Sequence, residues 1–292
     1  MAETAKIVGQ KTLALKWIAL LSTVRWYNIL LTVLAQYISA YTIVEHSGLN
    51  AWKLVYDFKL HAIVVASVFS IAAGFIINNF YDFEKDLINR PHTTLFNRII
   101  SKKTTLNLYS LFNILSIVIA FSASLKIGIF FCGFILALWI YSHKLQKMPF
   151  IKEFAASILS VTSFFAIVLH FYKFYDFIFI YGVFFMSLIY SRELIKQFEN
   201  YTGDMAIHIT SIPVMLGIEK AHYFSLFIMA LSFLCGLSIV GFYGFKDGNY
   251  YIIACISIII LNMALMKYQK FKTINIIYKI MLVGGILNIL YI

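Results

Sequence analysis

The stretch Asn78-Asn79-Phe80-Tyr81-Asp82-Phe83-Glu84-Lys85-Asp86 decides how this chain is read. It closes a long apolar run with an amide and three acids, in a chain of 292 residues that has only 13 acids. Asn78, Asp82 and Asp86 are spaced four apart, so on a helix they project from one face. Two carboxylates one turn apart at a membrane boundary repel each other unless a cation sits between them. The pattern suggests a divalent-metal and phosphate site at the end of an apolar helix.

The rest of the chain supplies the membrane. It is 61% hydrophobic and 13% charged, where a soluble domain carries about 25% charged residues. A spanning helix needs roughly 20 apolar residues. Nine segments qualify, at about 17–44, 60–80, 106–124, 126–142, 150–171, 174–191, 221–243, 250–267 and 274–292. Tight turns are expected near Ser124 to Lys126 and near Tyr172 and Lys173. With 3 Pro, 14 Gly and no linker, the expectation is one domain over 1–292 with a polar start over 1–16. No small-residue cleavage site follows that start, so a cleaved signal peptide is not expected. The fold class expected is all-α, a nine-helix transmembrane bundle around a central cavity.

Charge gives the orientation. If the nine segments alternate, nineteen Lys and Arg fall on one side and five (Lys53, Lys59, Lys126, Lys173, Lys246) on the other. The basic side holds the N-terminus and the loops after the second, fourth, sixth and eighth segments, and it is expected to be cytoplasmic, in the cell membrane. This bias accounts for most of the net charge of +11, so no nucleic-acid partner is needed to explain it.

A second polar stretch, Arg192-Glu193-Leu194-Ile195-Lys196-Gln197-Phe198-Glu199-Asn200-Tyr201-Thr202-Gly203-Asp204, follows the sixth segment on the same side. Ionisable groups that converge at a membrane boundary are a functional site by default. Cys132, Cys235 and Cys255 lie in apolar runs, and no two of the seven His have the i,i+4 spacing of a metal site. No Gly-rich phosphate loop and no Gly-x-Ser-x-Gly elbow occur. Oxygen ligands in this setting suit Mg²⁺, which is held by one or two carboxylates plus substrate phosphates.

At these residues the chain resembles the UbiA-type intramembrane prenyltransferases, nearest their digeranylgeranylglyceryl phosphate synthase-like branch. Asn78, Asp82 and Asp86 match the family's Asn-x3-Asp-x3-Asp motif, and Ile88-Asn89-Arg90-Pro91 is similar to its continuation. Arg192-Glu193, Glu199, Gly203-Asp204 and Ser211-Ile212-Pro213-Val214-Met215-Leu216-Gly217 match the second region in outline. The departures are Asn200 for the first Asp of the second motif, Gln197 and Thr210 at positions often acidic and basic, and Gln146 for the Lys that ends a Tyr-x-x-x-x-Lys pattern begun by Tyr141. Lys152-Glu153 stands for a Gly-Asn pair, and Arg25-Trp26-Tyr27-Asn28 for Arg-Pro-x-Asn.

The resemblance implies a Mg²⁺-dependent transfer of a prenyl group from a polyprenyl diphosphate, geranylgeranyl diphosphate at best guess, to a lipophilic acceptor in the bilayer. It implies that Asn78, Asp82 and Asp86 hold one metal and Asn200 and Asp204 a second, with Asp82, Asp86 and Asp204 catalytic. Arg25, Asn28, Arg90, Tyr141, Lys144, Lys147, Arg192 and Lys196 are the implied substrate contacts. The implied acceptor is the hydroxyl of geranylgeranylglyceryl phosphate; the alternatives are aromatic-ring prenylation in quinone biosynthesis, a transporter, or isoprenoid binding without turnover.

Overall fold

The computed structural model describes residues 14–48, 50–89, 91–92, 94, 99–206, 210–243 and 249–291. Arg90 and the polar segment 1–13 lie outside them. All elements among these residues are helices: α1 (Ala14–Thr23), α2 (Trp26–His46), α3 (Phe58–Tyr81), α4 (Phe83–Asn89), α5 (Lys102–Ala123), α6 (Leu125–His143), α7 (Ile151–Phe171), α8 (Asp176–Glu199), α9 (Tyr201–Ala206), α10 (Ile212–Leu216), α11 (Ile218–Tyr243), α12 (Asn249–Lys267) and α13 (Phe271–Asn288). Among the described residues, nine are long and apolar enough to cross a membrane: α2, α3, α5 to α8 and α11 to α13. The chain is an integral membrane protein.

One expected span is corrected. The first apolar segment is not continuous from 17 to 44: α1 ends at Thr23, and α2 begins only at Trp26. Arg25 between them has φ 51° and ψ 54°, the left-handed conformation that a side chain with a Cβ adopts at a cost. The other turns are short. Ser124 breaks α5 from α6 and caps the second with a hydrogen bond from Ile127 N–H to its hydroxyl (3.2 Å). Tyr172, with φ 53°, ends α7.

Two large apolar cores form, with a smaller cluster of Val24, Ile29, Ala72 and Ile76 beside them. One is built by α2, α3, α5, α6 and α7 around Ile63, Ala66, Phe131 and Ile167, and the other by α8 and α11 to α13 around Phe184, Met229, Ile259 and Tyr278. Small residues let the helices of a membrane bundle approach closely. In the second core, a Cβ on Gly285 of α13 would overlap the ring of Phe185 on α8. Hydrogen bonds fix registers within the apolar layer. Gln36 Nε2 donates to Ser67 Oγ (2.8 Å) and to the Ser163 carbonyl (2.9 Å), joining α2, α3 and α7. Thr42 Oγ1 donates to the Ile289 carbonyl (2.9 Å) and ties α2 to the end of α13. The α7–α8 and α2–α13 contacts join the two cores.

At one end of the bundle, Asp57 caps α3 by accepting from Leu60 N–H (3.0 Å), and its other oxygen lies 2.8 Å from Nε2 of His170 at the end of α7. Burial alone would push the Asp57 carboxyl up. The bonds to His170 and to Leu60 N–H outweigh it and hold the group below the ordinary carboxylate range. A carboxyl lowered by folding stabilises the fold above its unfolded pKa, and that contribution is lost as pH falls through the folded value. Asp57→Asn should therefore lower the melting temperature in detergent at pH 7, and the gap to wild type should close as pH is taken below about 4. A gap that stays constant from pH 7 to pH 3 would show that the ionised carboxyl is not what holds this end together.

Candidate active site

The opposite end of the bundle gathers the polar groups. α3 ends at Tyr81, Asp82 is its C-cap (φ −82°, ψ 3°), and α4 restarts at Phe83. The backbone ladder nonetheless continues across the break, from Asp82 N–H to the Asn78 carbonyl (2.9 Å) and from Asp86 N–H to the Asp82 carbonyl (2.8 Å). Each i to i+4 bond keeps the next residue above the last, so Asn78, Asp82 and Asp86 stay on one face, as their spacing predicts. Asn78 Nδ2 donates to Asp82 Oδ2 (2.8 Å) and orients that carboxylate. Thr94 is buried and donates from Oγ1 to the Asp86 carbonyl (3.0 Å), which anchors the segment after α4.

The second polar stretch repeats this construction. α8 ends at Glu199, Asn200 is its C-cap (φ −95°, ψ 0°), and α9 restarts at Tyr201. Asn200 N–H bonds to the Lys196 carbonyl (3.3 Å), and Asp204 N–H to the Asn200 carbonyl (2.9 Å). Asp82 and Asn200 thus hold equivalent positions at two helix breaks, and Asp86 and Asp204 hold equivalent positions in the short helices that follow. α4 packs directly against α9, so the two stretches meet. Asp204 is fully buried there.

Arg192 and Lys196 are brought to the same end but are engaged. Arg192 Nη1 lies 3.0 Å from Glu193 Oε1, and Lys196 Nζ lies 3.2 Å from Glu193 Oε2. Arg192 Nε also donates to Asn275 Oδ1 (3.1 Å), and Asn275 Nδ2 donates to Glu199 Oε1 (2.8 Å), which braces α8 against α13. Gln197 is buried and acts on the backbone: its Oε1 accepts from Ile212 N–H (2.8 Å) and anchors the start of α10. Tyr141 lies within electrostatic reach of Glu193, Asp82, Glu153 and Arg25. Arg25 stands at the α1–α2 break with its guanidinium 5.2 Å from the centre of the Phe75 ring. Asn28 sits half-buried in the first turn of α2, and its carbonyl accepts from Thr32 Oγ1 (3.0 Å).

The basic residues between α6 and α7 are arranged differently from expectation. Lys144 and Lys147 are exposed on the connecting turn. The cation placed among the carboxylates is Lys152, whose strongest electrostatic neighbours are Glu153, Asp82, Asp204 and Glu193. In the sequence Lys152 reads only as a topology charge. A signal is nonetheless present, because a Lys-Glu pair in the first turn of an apolar helix has no lipid-facing use. Its aim comes from the backbone. Phe150 has φ 68° and ψ −50°, and Ile151 N–H bonds to the Pro149 carbonyl (2.9 Å), which is the rare and strained form of the three-residue γ-turn. The Phe150 ring is held edge-on to Phe224 at 5.2 Å. Strain of this kind, pinned by packing, marks functional positions.

The donor set fits Mg²⁺. Asp82 and Asp86 with Asn78 supply hard oxygen ligands on one helical face, the kind Mg²⁺ takes. Among the described residues no three His, Cys, Asp or Glu close up tightly enough to hold a metal by themselves. That suits an ion that draws its remaining ligands from water and substrate phosphates.

Among the described residues, nine long apolar helices carry paired acidic helix breaks at one end, a convergence of ionisable groups at a membrane boundary that marks a functional site. Residues 29–276 match the UbiA prenyltransferase family, and the chain belongs to that family; it is a prenyltransferase. It is 27% identical over 242 residues to digeranylgeranylglyceryl phosphate synthase of Methanobrevibacter smithii, covering 78% of this chain and 83% of that one. It is also 27% identical over 224 residues to the Sulfurisphaera tokodaii enzyme of the same name, covering 75% and 79%. A solved structure concerning digeranylgeranylglyceryl phosphate synthase superposes with a TM-score of 0.70 at 22% identity, over 94% of this chain and 97% of that chain. A UbiA homolog from Archaeoglobus fulgidus bound to GPP and Mg²⁺ superposes with a TM-score of 0.68 at 13% identity, over 94% of this chain and 100% of that chain.

Two substitutions separate the chemistry from the scaffold. Asp82→Ala should abolish turnover while the protein still inserts and melts within a few degrees of wild type. Gln197→Ala leaves the buried Ile212 N–H unsatisfied, which costs about 1–3 kcal/mol, so it should lower the melting temperature clearly. Paired activity and unfolding measurements check both, and full activity in Asp82→Ala would remove the metal assignment.

Proposed function

We propose that this chain transfers the geranylgeranyl group of geranylgeranyl diphosphate to the free hydroxyl of geranylgeranylglyceryl phosphate, at the cytoplasmic face of the membrane, with residues 1–292 working as one unit. The observation that carries this reading is the packing of α4 on α9, which sets two acidic helix breaks against each other at the end of the bundle. A prenyl diphosphate needs such a place, with its tail among apolar helices and its charged head at their polar end. The curated relatives named above support the acceptor. The excess of basic residues on the side of the site supports the orientation.

In this reading Asn78, Asp82 and Asp86 hold Mg²⁺, and Asn200 and Asp204 face it across the α4–α9 contact. When bound, the metal supplies Lewis-acid stabilisation of the charge that develops on the departing diphosphate. The chain's own cations act on the same charge. Arg192 and Lys196, held in place by Glu193, are poised donors that need no reorganisation at the moment of bond cleavage. The allylic C–O bond breaks with its electron pair going to the diphosphate. The acceptor oxygen then bonds to the same carbon and releases its proton. Arg25 and Tyr141, within electrostatic reach of each other, are the further contacts assigned to the substrate head.

The test is a direct one. Purified protein with Mg²⁺ and labelled geranylgeranyl diphosphate is given either geranylgeranylglyceryl phosphate or an aromatic acid, and the lipid products are separated. Transfer to the glycerol ether is expected. Transfer only to the aromatic compound would assign the chain to quinone chemistry, and diphosphate binding without any transfer would make it a binding protein.

A further inference from the structure

The two halves of the site are built alike but charged differently. The α3–α4 break presents two carboxylates, Asp82 and Asp86, and one amide, Asn78. The equivalent positions at the α8–α9 break present one carboxylate, Asp204, the amide of Asn200 and, in the place of Asn78, Lys196, which is paired with Glu193. A divalent cation held by a single carboxylate and an amide is much more weakly bound than one held by a carboxylate pair. A further positive charge reaches this half from elsewhere in the cluster. Lys152 projects from the first turn of α7 among Glu153, Asp82, Asp204 and Glu193, and it forms no ion pair within 4.0 Å among the described residues. Its neighbour Glu153 is 2% exposed, and neither of its carboxylate oxygens has a hydrogen-bond partner within 3.5 Å. Buried polar groups are nearly always satisfied. A half-buried ammonium beside a buried carboxylate, near the charges of Asp82, Asp204 and Glu193 yet ion-paired with none of them, is arranged for a ligand that is charged as well.

We propose that the Lys152 ammonium is the second cation of the diphosphate site. It takes the place of a metal at the Asn200–Asp204 half, so that the enzyme holds its prenyl diphosphate with one divalent ion and Lys152, beside the Arg192 and Lys196 donors. This rests on the prenyl-diphosphate reading given above. Three features of the structure converge on it. The second half lacks the carboxylate that a second Mg²⁺ would want. Lys152 supplies a fixed positive charge within reach of Asp204 and Asp82, bridging the two halves. The strained γ-turn at Phe150 fixes the start of α7 and with it the position from which Lys152 emerges. A lysine is well suited to this place, because it binds phosphate as a compact point charge on a flexible stem. In the absence of substrate, Glu153 and Glu193 keep the ammonium compensated.

The experiment is metal counting. Wild-type protein in detergent is saturated with the thiolo analogue of geranylgeranyl diphosphate, which resists cleavage, and titrated with Mn²⁺ while free Mn²⁺ is followed by electron paramagnetic resonance. One tightly held Mn²⁺ per chain is expected; two per chain in the wild type would overturn the proposal without any variant being made. Lys152→Ala at saturating Mn²⁺ should weaken analogue binding and lower kcat/KM by roughly 10²-fold, the scale seen when one preorganised donor is removed, and Lys152→Arg should recover part of both. Analogue affinity unchanged in Lys152→Ala would equally overturn it. The double variant Lys152→Ala with Asn200→Asp should gain a second Mn²⁺ per chain. Turnover with two Mn²⁺ in the wild type would remove the role of Lys152 alone, whereas a wild type that neither binds the analogue nor transfers a prenyl group would remove the prenyl-diphosphate reading itself.

Discussion

The site depends on two helix breaks at which the backbone hydrogen-bond ladder does not stop. At Asp82 and at Asn200 the helix ends by its dihedral angles, yet the next residue of each motif still bonds four positions back. The chain can bend there without losing the register that keeps the motif on one face. An unsatisfied amide or carbonyl at that depth would be costly, so the bend is possible only because those bonds survive it. The short helices α4 and α9 can then tip towards each other and touch. Without that contact the two polar stretches would be separate solvated loops.

What surrounds the contact is a balance of charge. The carboxylates of Asp82, Asp86, Glu153, Glu193, Glu199 and Asp204 share one end of the bundle with Arg25, Lys152, Arg192 and Lys196. Glu193 binds two of these cations directly, and the Arg192–Asn275–Glu199 bridge fastens them to α13. The fixed cations therefore offset much of the carboxylate charge before any substrate arrives, as a boundary with lipid favours. The opposite end carries its own polar lock, Asp57 with His170, which closes α3 on α7.

Much of this is legible in the residues. Apolar runs about 20 residues long and the asymmetry of Lys and Arg point to the helices and their direction, because lipid leaves the backbone few alternatives. The Asn78, Asp82, Asp86 spacing carries its own face. Other features are not legible. The break at Arg25 sits inside an apolar run, and no Pro or Gly announces it. Gln197 stands at a position often acidic in the family, but its side-chain carbonyl holds the Ile212 N–H, a long-range partner that no local pattern specifies. Lys144 and Lys147 look as suitable for phosphate as Lys152, since all three lie within nine residues of chain. Only the γ-turn at Phe150 separates the exposed pair from the one set among the acids.

The residues alone dictate the membrane, the number of spanning helices, the side on which charge collects and the composition of each motif. These follow from solvation, which acts on every residue where it stands. Only packing in three dimensions brings α4 to α9, lets Glu193 occupy Arg192 and Lys196, and brings Lys152 within electrostatic reach of both acidic halves. Those are distances between segments remote in the chain, set by how two apolar cores pack against each other.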